Sequence, residues 1–393
     1  MKSITDISFS GKKAFIRVDF NVPFNDEGDI SDNSRIVAAL PTINYILSKG
    51  GSCILASHLG RPKEKSMNHT LSKLLPEIEK LLNKKVIFSE DCIGNKAEQL
   101  CSQLKEGQVI LLENLRFYKE ETAADPFFAK QLSALADIYV NDAYGTTHRE
   151  HASTATIAQF FEHRCPGLLL EKEIKGLKKL MNKPSSPVTA IIGGAKVSSK
   201  ISVMSNMLNV IDNLIIGGGM AYTFIKQNGG SIGDSIFEHD RLVDCSQILA
   251  LAKEKKVNIF LPDDVVASNE FSNDALKQII DVNHIPDGWQ GLDIGPRTAA
   301  KFEKVIHNSS TILWNGPMGV FEMPSFEKGT KAIAQAVANS TQKGAFSLIG
   351  GGDSVAAIKK FEFQNKVSFI STGGGAMLES LEGKTLPGIK ALS

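Results

Sequence analysis

Short apolar runs alternate along this chain with amphipathic stretches of helical period. The runs fall at 14–18, 53–57, 86–88, 109–112 and 138–140, and again at 189–192, 214–216, 259–261, 311–314, 347–349 and 367–370. They are rich in Val, Ile and Leu and are apolar throughout, not at every second position, so they read as strands buried on both faces. Segments such as 72–82 and 127–136 place apolar residues on one helical face between them. Strand and helix in alternation predict a parallel sheet covered by helices. A charged amphipathic stretch at 168–181 reads as a further helix. It stops at Asn182-Lys183-Pro184-Ser185-Ser186-Pro187, a breaker cluster suited to a linker. The expected fold is therefore α/β: two doubly wound parallel-sheet (Rossmann-like) domains joined by a hinge helix. The boundaries lie at residues 1–170, 171–186 for helix and linker, and 187–379.

In open α/β sheets, ligands bind beyond the carboxyl ends of the strands, so the residues that follow each run are the informative ones. In the second half these are Gly193-Gly194-Ala195-Lys196, Gly217-Gly218-Gly219, Asn315-Gly316-Pro317, Gly350-Gly351-Gly352-Asp353-Ser354 and Thr372-Gly373-Gly374-Gly375. Glycine lets backbone approach a ligand, and a helix opening after such a turn favours phosphate at its N-terminus. One such turn is ordinary; five in succession point to a nucleotide phosphate site. Asp353 reads either as a helix N-cap or as a carboxylate for Mg²⁺ beside bound phosphates. Lys196 and Lys200, four apart, are expected on one face of the helix opening after Gly194.

The first half carries a different chemistry. Five of the eight arginines, Arg17, Arg35, Arg61, Arg116 and Arg149, fall in its polar strand-end segments. A guanidinium grips phosphate and carboxylate in bidentate fashion, so the set predicts a small-anion site. His58, in His58-Leu59-Gly60-Arg61-Pro62, is expected to bond the substrate; His148 reads as a turn cap.

Composition narrows the classes. The chain has 393 residues, enough for two cores, with 42% hydrophobic and 22% charged residues. Lys and Arg number 44 against 43 Asp and Glu, so bound anions must be held by local clusters and not by a general basic field. That disfavours nucleic acid and anionic membrane as partners. Met1 to Lys13 lacks the apolar core of a signal peptide, and no apolar stretch is long enough to span a bilayer. The five cysteines form no C-x-x-C pair and read as inert thiols of a cytoplasmic protein. Neither the G-x-x-x-x-G-K-[ST] nor the G-x-G-x-x-G pattern is completed by any of the glycine turns.

Taken in order, these segments closely resemble the phosphoglycerate kinase family. The resemblance covers the chain from Arg17-Val18-Asp19-Phe20-Asn21-Val22-Pro23 to Leu386-Pro387-Gly388. It implies reversible phosphoryl transfer between 1,3-bisphosphoglycerate with MgADP and 3-phosphoglycerate with MgATP, in a monomer. It implies that Asp19, Phe20, Asn21, Arg35, His58, Leu59, Gly60, Arg61, Arg116 and Arg149 bind the glycerate. Lys200, Gly217, Gly218, Gly291, Glu322 and Gly350, Gly351, Gly352, Asp353 and Ser354 become nucleotide contacts, with Asp353 on the metal. Arg35, Lys196, Gly373 and Gly374 are assigned to the transferring phosphoryl group, and the tail at about 380–393 returns to the first domain. Two sites on two domains imply hinge closure during turnover. Ser199, Tyr144 and Asp263 depart from residues common in the family, and none belongs to the catalytic set. A non-catalytic phosphate-binding regulatory module stands as the alternative.

Overall fold

The computed structural model describes residues 1–393. Its contacts divide the chain into two units: Met1–Lys175 with Thr385–Ser393, and Gly176–Lys384. The division falls inside the Leu168–Met181 helix and not at the breaker cluster that ends it. The early turns of that helix bury Leu170 and set Leu168 against the first core, while a Cβ at Gly176 would stand 3.1 Å from the Phe369 ring.

In the first unit the strands are Lys13–Arg17 (β1), Ser52–Ala56 (β2), Val86–Ser89 (β3), Val109–Leu112 (β4), Ile138–Asn141 (β5) and His163–Pro166 (β6). They form one sheet in the order β3-β4-β2-β1-β5-β6, parallel at every pairing. β6 was not expected, because His163-Arg164-Cys165-Pro166 has no apolar run; it sits at the sheet edge, where polar residues and proline are tolerated. The Ser34–Ser48 helix buries Ile36, Ala39, Ile43 and Ile46, one face of a helical period, which seats Arg35 beside β1. The Pro126–Ser133 helix begins with proline in its first turn, and the Asp125 carboxylate accepts from Phe128 N at 2.8 Å.

The second unit contains Val188–Ile192 (β7), Asn213–Ile216 (β8), Ser231–Ile232 (β9), Asn258–Phe260 (β10), Asp264–Ser268 (β11), Lys277–Asp281 (β12), His284–Ile285 (β13), Gln290–Ile294 (β14), Thr311–Asn315 (β15), Phe346–Ile349 (β16) and Phe369–Ile370 (β17). Six of them make a second parallel sheet, β10-β8-β7-β15-β16-β17. Two doubly wound parallel sheets are thus present, as expected. An added antiparallel sheet, β12-β11-β14, was not anticipated. Its strands Lys277-Gln278-Ile279-Ile280-Asp281 and Gln290-Gly291-Leu292-Asp293-Ile294 mix polar and apolar residues without a clean alternation, which hides them from a periodicity reading.

Buried aspartates fasten helices to strand ends in both units. Asp264 accepts from the amides of Arg297 and Thr298 at 3.2 and 2.8 Å, capping the Pro296–His307 helix. Asp142, following β5, accepts from Leu169 N and Leu170 N through Oδ1 at 3.0 and 3.2 Å, while Oδ2 has no partner. Burial pushes the Asp142 carboxyl up to about 7, against the bonds from Thr42 and the helix amides, with Glu171 adding to the rise. In the unfolded chain the same group titrates near 4. The folded state therefore holds the extra proton, and the stability it contributes is full below about pH 4 and lost as pH rises through about 7. Asp142→Asn keeps an acceptor for the helix amides and removes the titration. Its urea-unfolding free energy relative to the parent is expected to improve steadily from pH 5 to pH 8; parallel curves for the two proteins would disprove the assignment.

Candidate active site

At the carboxyl edge of the first sheet, three strand-end loops and the helix after β1 are joined by hydrogen bonds. Arg35 donates to Asp19 Oδ2 at 2.7 Å, and Asp19 Oδ1 accepts from Asn21 N at 3.3 Å. Asn21 Oδ1 accepts from Gly60 N at 2.8 Å, and Gly60 O accepts from Arg116 at 2.7 Å. The loops after β1, β2 and β4 thus hold one another. Asn114 Nδ2 adds bonds to the carbonyls of Leu59 and His69, both at 2.8 Å. The Phe20 and Leu59 side chains lie in the core, and Phe20 N donates to Ser57 Oγ at 2.8 Å. Gly60 has φ +65°, and a Cβ there would stand 2.4 Å from the His69 ring. All three shape the loops from behind.

Arg17 departs from its expected place. Its guanidinium is fully buried, donating to Ser153 Oγ at 2.8 Å and to the Val18 carbonyl, and lying 3.3 Å from His58 Nδ1. Ser153 Oγ donates in turn to the buried Glu121 carboxylate at 2.6 Å. A guanidinium out of water needs such compensation. Arg17 therefore belongs to the scaffold behind the anion site and not to its wall. Sequence reasoning missed Glu121, whose surroundings, Lys119-Glu120-Glu121-Thr122, read as an exposed charged turn.

In front of this scaffold opens a cavity of about 880 Å³ whose wall includes Arg61, Arg116, Arg149, Lys63, Lys119 and His151. Asp19, Asn21, Arg35 and His58 are outside that wall; the first three connect to it through the bonds at Gly60. Burial, with Arg149 and Arg17 nearby, pushes Arg116 down to about 10. His151 is lowered to about 4 by burial and then by Arg17, Arg116 and Arg149. His58 is held well below the usual histidine range by burial and the same guanidiniums. The 3.9 Å approach of His58 to Asp19 is thus no ion pair, because the imidazole is neutral. Guanidiniums close enough to lower Arg116, His58 and His151 form a site that gains from a polyanion. The Arg149 loop is tied from the other side, where Gly388 N of the C-terminal segment donates to Thr147 O at 2.9 Å. His148 Nε2 accepts from Arg149 Nε at 3.2 Å.

At the carboxyl edge of the second sheet the glycines divide into two kinds. A Cβ at Gly193 would stand 2.2 Å from Pro317 O, at Gly316 2.2 Å from Gly193 O, and at Gly218 2.7 Å from Gly194 N. These turns pack backbone against backbone. Gly217 and Gly350 lie against the sulfurs of Met318 and Met377, and Gly291 against the Tyr222 hydroxyl. Nothing within 4 Å opposes a Cβ at Gly194, Gly352 or Gly374. Those three face a cavity of about 440 Å³, whose wall also carries Lys196, Lys200, Asn315, Gly351, Asp353, Ser354 and Gly375. Gly217, Gly218, Gly291, Glu322, Gly350 and Gly373 are not part of that wall.

Two local expectations fail. The segment after Gly194 does not open an α-helix: Lys196 is extended, Val197–Ser199 makes a 3-10 turn, and the helix begins at Ile201. Lys196 and Lys200 therefore share the cavity but not a helical face. Nor does every glycine turn start a helix, since none follows Asn315-Gly316-Pro317 directly. Asp353 is the second residue of the Gly352–Lys360 helix, whose N-cap is Gly351, so the capping role is taken and the carboxylate is exposed at the cavity. Ser354 Oγ accepts from Gly316 N at 2.5 Å and Asn315 Nδ2 donates to Gly350 O at 2.7 Å. Lys200 donates to Asn315 Oδ1, and burial lowers its ammonium against the opposing pull of Asp353.

A guanidinium-walled cavity on one parallel sheet and a glycine- and lysine-walled cavity on another make the equipment of a phosphotransferase. The comparisons with known proteins define which one. The phosphoglycerate kinase family model matches residues 4–384. A phosphoglycerate kinase of Porphyromonas gingivalis is 50% identical over 415 residues, covering 99% of both chains. The cytosolic phosphoglycerate kinase 3 of Arabidopsis thaliana is 48% identical, over 99% of this chain and 97% of its own. The solved phosphoglycerate kinase of Coxiella burnetii superposes with a TM-score of 0.91 at 40% identity, over 100% of this chain and 98% of that one. The chain belongs to the phosphoglycerate kinase family. It is an enzyme whose acceptor is a carboxyl group, which sets aside the non-catalytic module.

The two kinds of glycine make a sharp prediction. Gly352 has neither positive φ nor a neighbour to clash with, so Gly352→Ala is expected to leave the melting temperature within about 2 °C of the parent, as for a substitution costing under ~0.5 kcal/mol. Its added methyl points into the cavity, and KM for ATP is expected to rise about tenfold or more. A normal KM in steady-state assays would mean that phosphate does not approach that backbone.

Proposed function

We propose that the protein catalyses reversible phosphoryl transfer between 1,3-bisphosphoglycerate and ADP, giving 3-phosphoglycerate and ATP. The observation that carries this reading is the guanidinium cavity of the first unit, separate from the glycine-walled one of the second. A nucleotide hydrolase or a simple phosphate binder has no need of it.

Within this reading Arg61, Arg116 and Arg149 hold the phosphate of the glycerate. Asp19, Asn21, Arg35 and His58 complete the site, with the neutral His58 available as a hydrogen-bond partner. Phe20, Leu59 and Gly60 act through the loop they shape. In the second unit Lys200, Gly351, Gly352 and Ser354 cradle the nucleotide phosphates. Gly217, Gly218, Gly291, Glu322 and Gly350 serve the rest of the nucleotide. Asp353 is an exposed carboxylate at the phosphate cavity, which suits Mg²⁺, a cation that takes one or two carboxylates plus phosphate oxygens. When bound, the metal neutralises phosphate charge.

The acceptor carboxylate is ionised at neutral pH, so no general base is needed. What the protein must supply is alignment and charge neutralisation of the transferring group. Arg35, Lys196 and the backbone at Gly373 and Gly374 are the groups assigned to it. Transfer also requires the two ligands to meet, so hinge closure is part of the proposal. The family reading makes this a cytoplasmic monomer with small-molecule partners, and the net charge of +1 disfavours nucleic acid and anionic membrane among them. No helix is long and apolar enough to cross a membrane.

A coupled assay with 3-phosphoglycerate and MgATP tests the activity; folded protein without turnover would refute it. Lys196→Ala is expected to lower kcat by about a hundredfold with a much smaller change in KM for either substrate, as for loss of a donor to developing charge. An unaltered kcat would remove Lys196 from the mechanism.

A further inference from the structure

The antiparallel sheet of the second unit has one face on a core and a second, largely polar face that carries an apolar pair. On one, Val265 lies opposite Ile280 and packs into a core with Tyr222, Ile225 and Ile285. On the other, Val266 lies opposite Ile279, and Ile279 is 61% exposed. A sheet with one face on a core ordinarily turns polar residues outward, as Asp264, Ser268, Lys277 and Asp281 do here; the Val266–Ile279 pair is the exception. The second face forms the floor of a groove of about 800 Å³, walled by Pro296 and Ala299 of the Pro296–His307 helix. Small side chains on that helix leave the space above the sheet unfilled, and the volume lies in the range of small-molecule sites. The groove shares no residue with the phosphate cavity.

Its rim is charged at one end. Lys277 donates to Ser325 Oγ at 2.8 Å, and Lys328 follows Ser325 by three residues. The helix wall contributes a single carboxylate, Glu303. The Val266–Ile279 floor, with Lys277 and Lys328 in the same wall, is complementary to a ligand with an apolar tail and an anionic head.

We propose that this groove binds a single-chain amphipathic anion, its tail along Val266 and Ile279 and its carboxylate at Lys277 and Lys328. The site does not depend on the reaction assigned above, and none of its residues belongs to the proposed catalytic machinery. Decanoate, octanoate and 1-decanol, below their aggregation limits, serve as probes in isothermal titration of the full-length protein. Decanoate is expected to bind saturably at one site, and about tenfold more tightly than octanoate through two further buried methylenes. The Lys277→Met, Lys328→Met double variant should lose about tenfold in decanoate affinity and none for decanol. Ala299→Trp, which fills the groove, should weaken all three, and phosphoryl-transfer turnover in both variants serves as the check of folding. The lysine changes lie at exposed positions and keep the test intact where tryptophan disturbs the fold. Absence of saturable binding overturns the proposal, as does decanol binding as tightly as decanoate, or decanoate affinity untouched by the lysine pair.

Discussion

Every strand of the two six-stranded sheets runs parallel to its neighbours, and that one constraint places all of the chemistry. A parallel strand must be re-entered from the same end, so each crossover leaves a loop at the carboxyl edge and hides its return in a helix. In the first unit the loops at that edge carry Asp19, His58, Arg116 and Arg149. In the second they carry Gly194, Asn315, Gly352 and Gly374. Residues more than a hundred positions apart in sequence become neighbours because they occupy equivalent places in the strand-turn-helix unit, not because any local motif joins them.

Gathering the arginines creates a cost that the fold must meet from within. Guanidiniums that depress one another need an anion or an internal countercharge. In the absence of ligand the first unit relies on Arg17, Ser153 and Glu121, wholly buried and bonded in series, and on the Arg35–Asp19 ion pair at 2.7 Å. Removing one partner from such a series strands the others, so these groups are constrained more tightly than the residues that touch the cavity. At the wall itself Arg116 donates to the Gly60 carbonyl and lies close to Arg149 and Arg17, a crowding that the proposed glycerate phosphate would relieve.

Much of this was legible in the sequence, for a physical reason. Strands buried on both faces are predominantly apolar, so eleven of the twelve parallel-sheet strands announced themselves, and a strand end is the place to look for ligands. The failures have causes too. β6 and the antiparallel sheet carry their polar residues at edges and on half-exposed faces, where no periodicity survives. Lys196 and Lys200 were set on a helix because their spacing fits one, yet the two glycines before them let the chain leave the strand extended and turn through a 3-10 segment. Glu121 gave no signal, since a charged tetrapeptide is ordinarily solvent's and only tertiary packing buries it. Arg17 misled in the opposite direction, sitting in a strand-end motif beside true site residues while its side chain turned inward.

The glycines show where sequence reading must stop. The twelve in the strand-end turns of the second half look alike in the one-letter code, and each permits a close approach. What approaches differs. At Gly193, Gly218 and Gly316 it is another strand-end loop, so the three turns form a single backbone-packed layer in which a methyl group on any one displaces the next. At Gly194, Gly352 and Gly374 it is nothing the protein owns. The layer holds the open positions in place: Gly194 N donates to Pro317 O at 3.0 Å, and the space beside its Cα is left to the cavity. Layer and cavity are therefore coupled: Gly193 and Gly316 pack in the layer and also line the cavity, while a methyl group at Gly352 enters the cavity without meeting the layer.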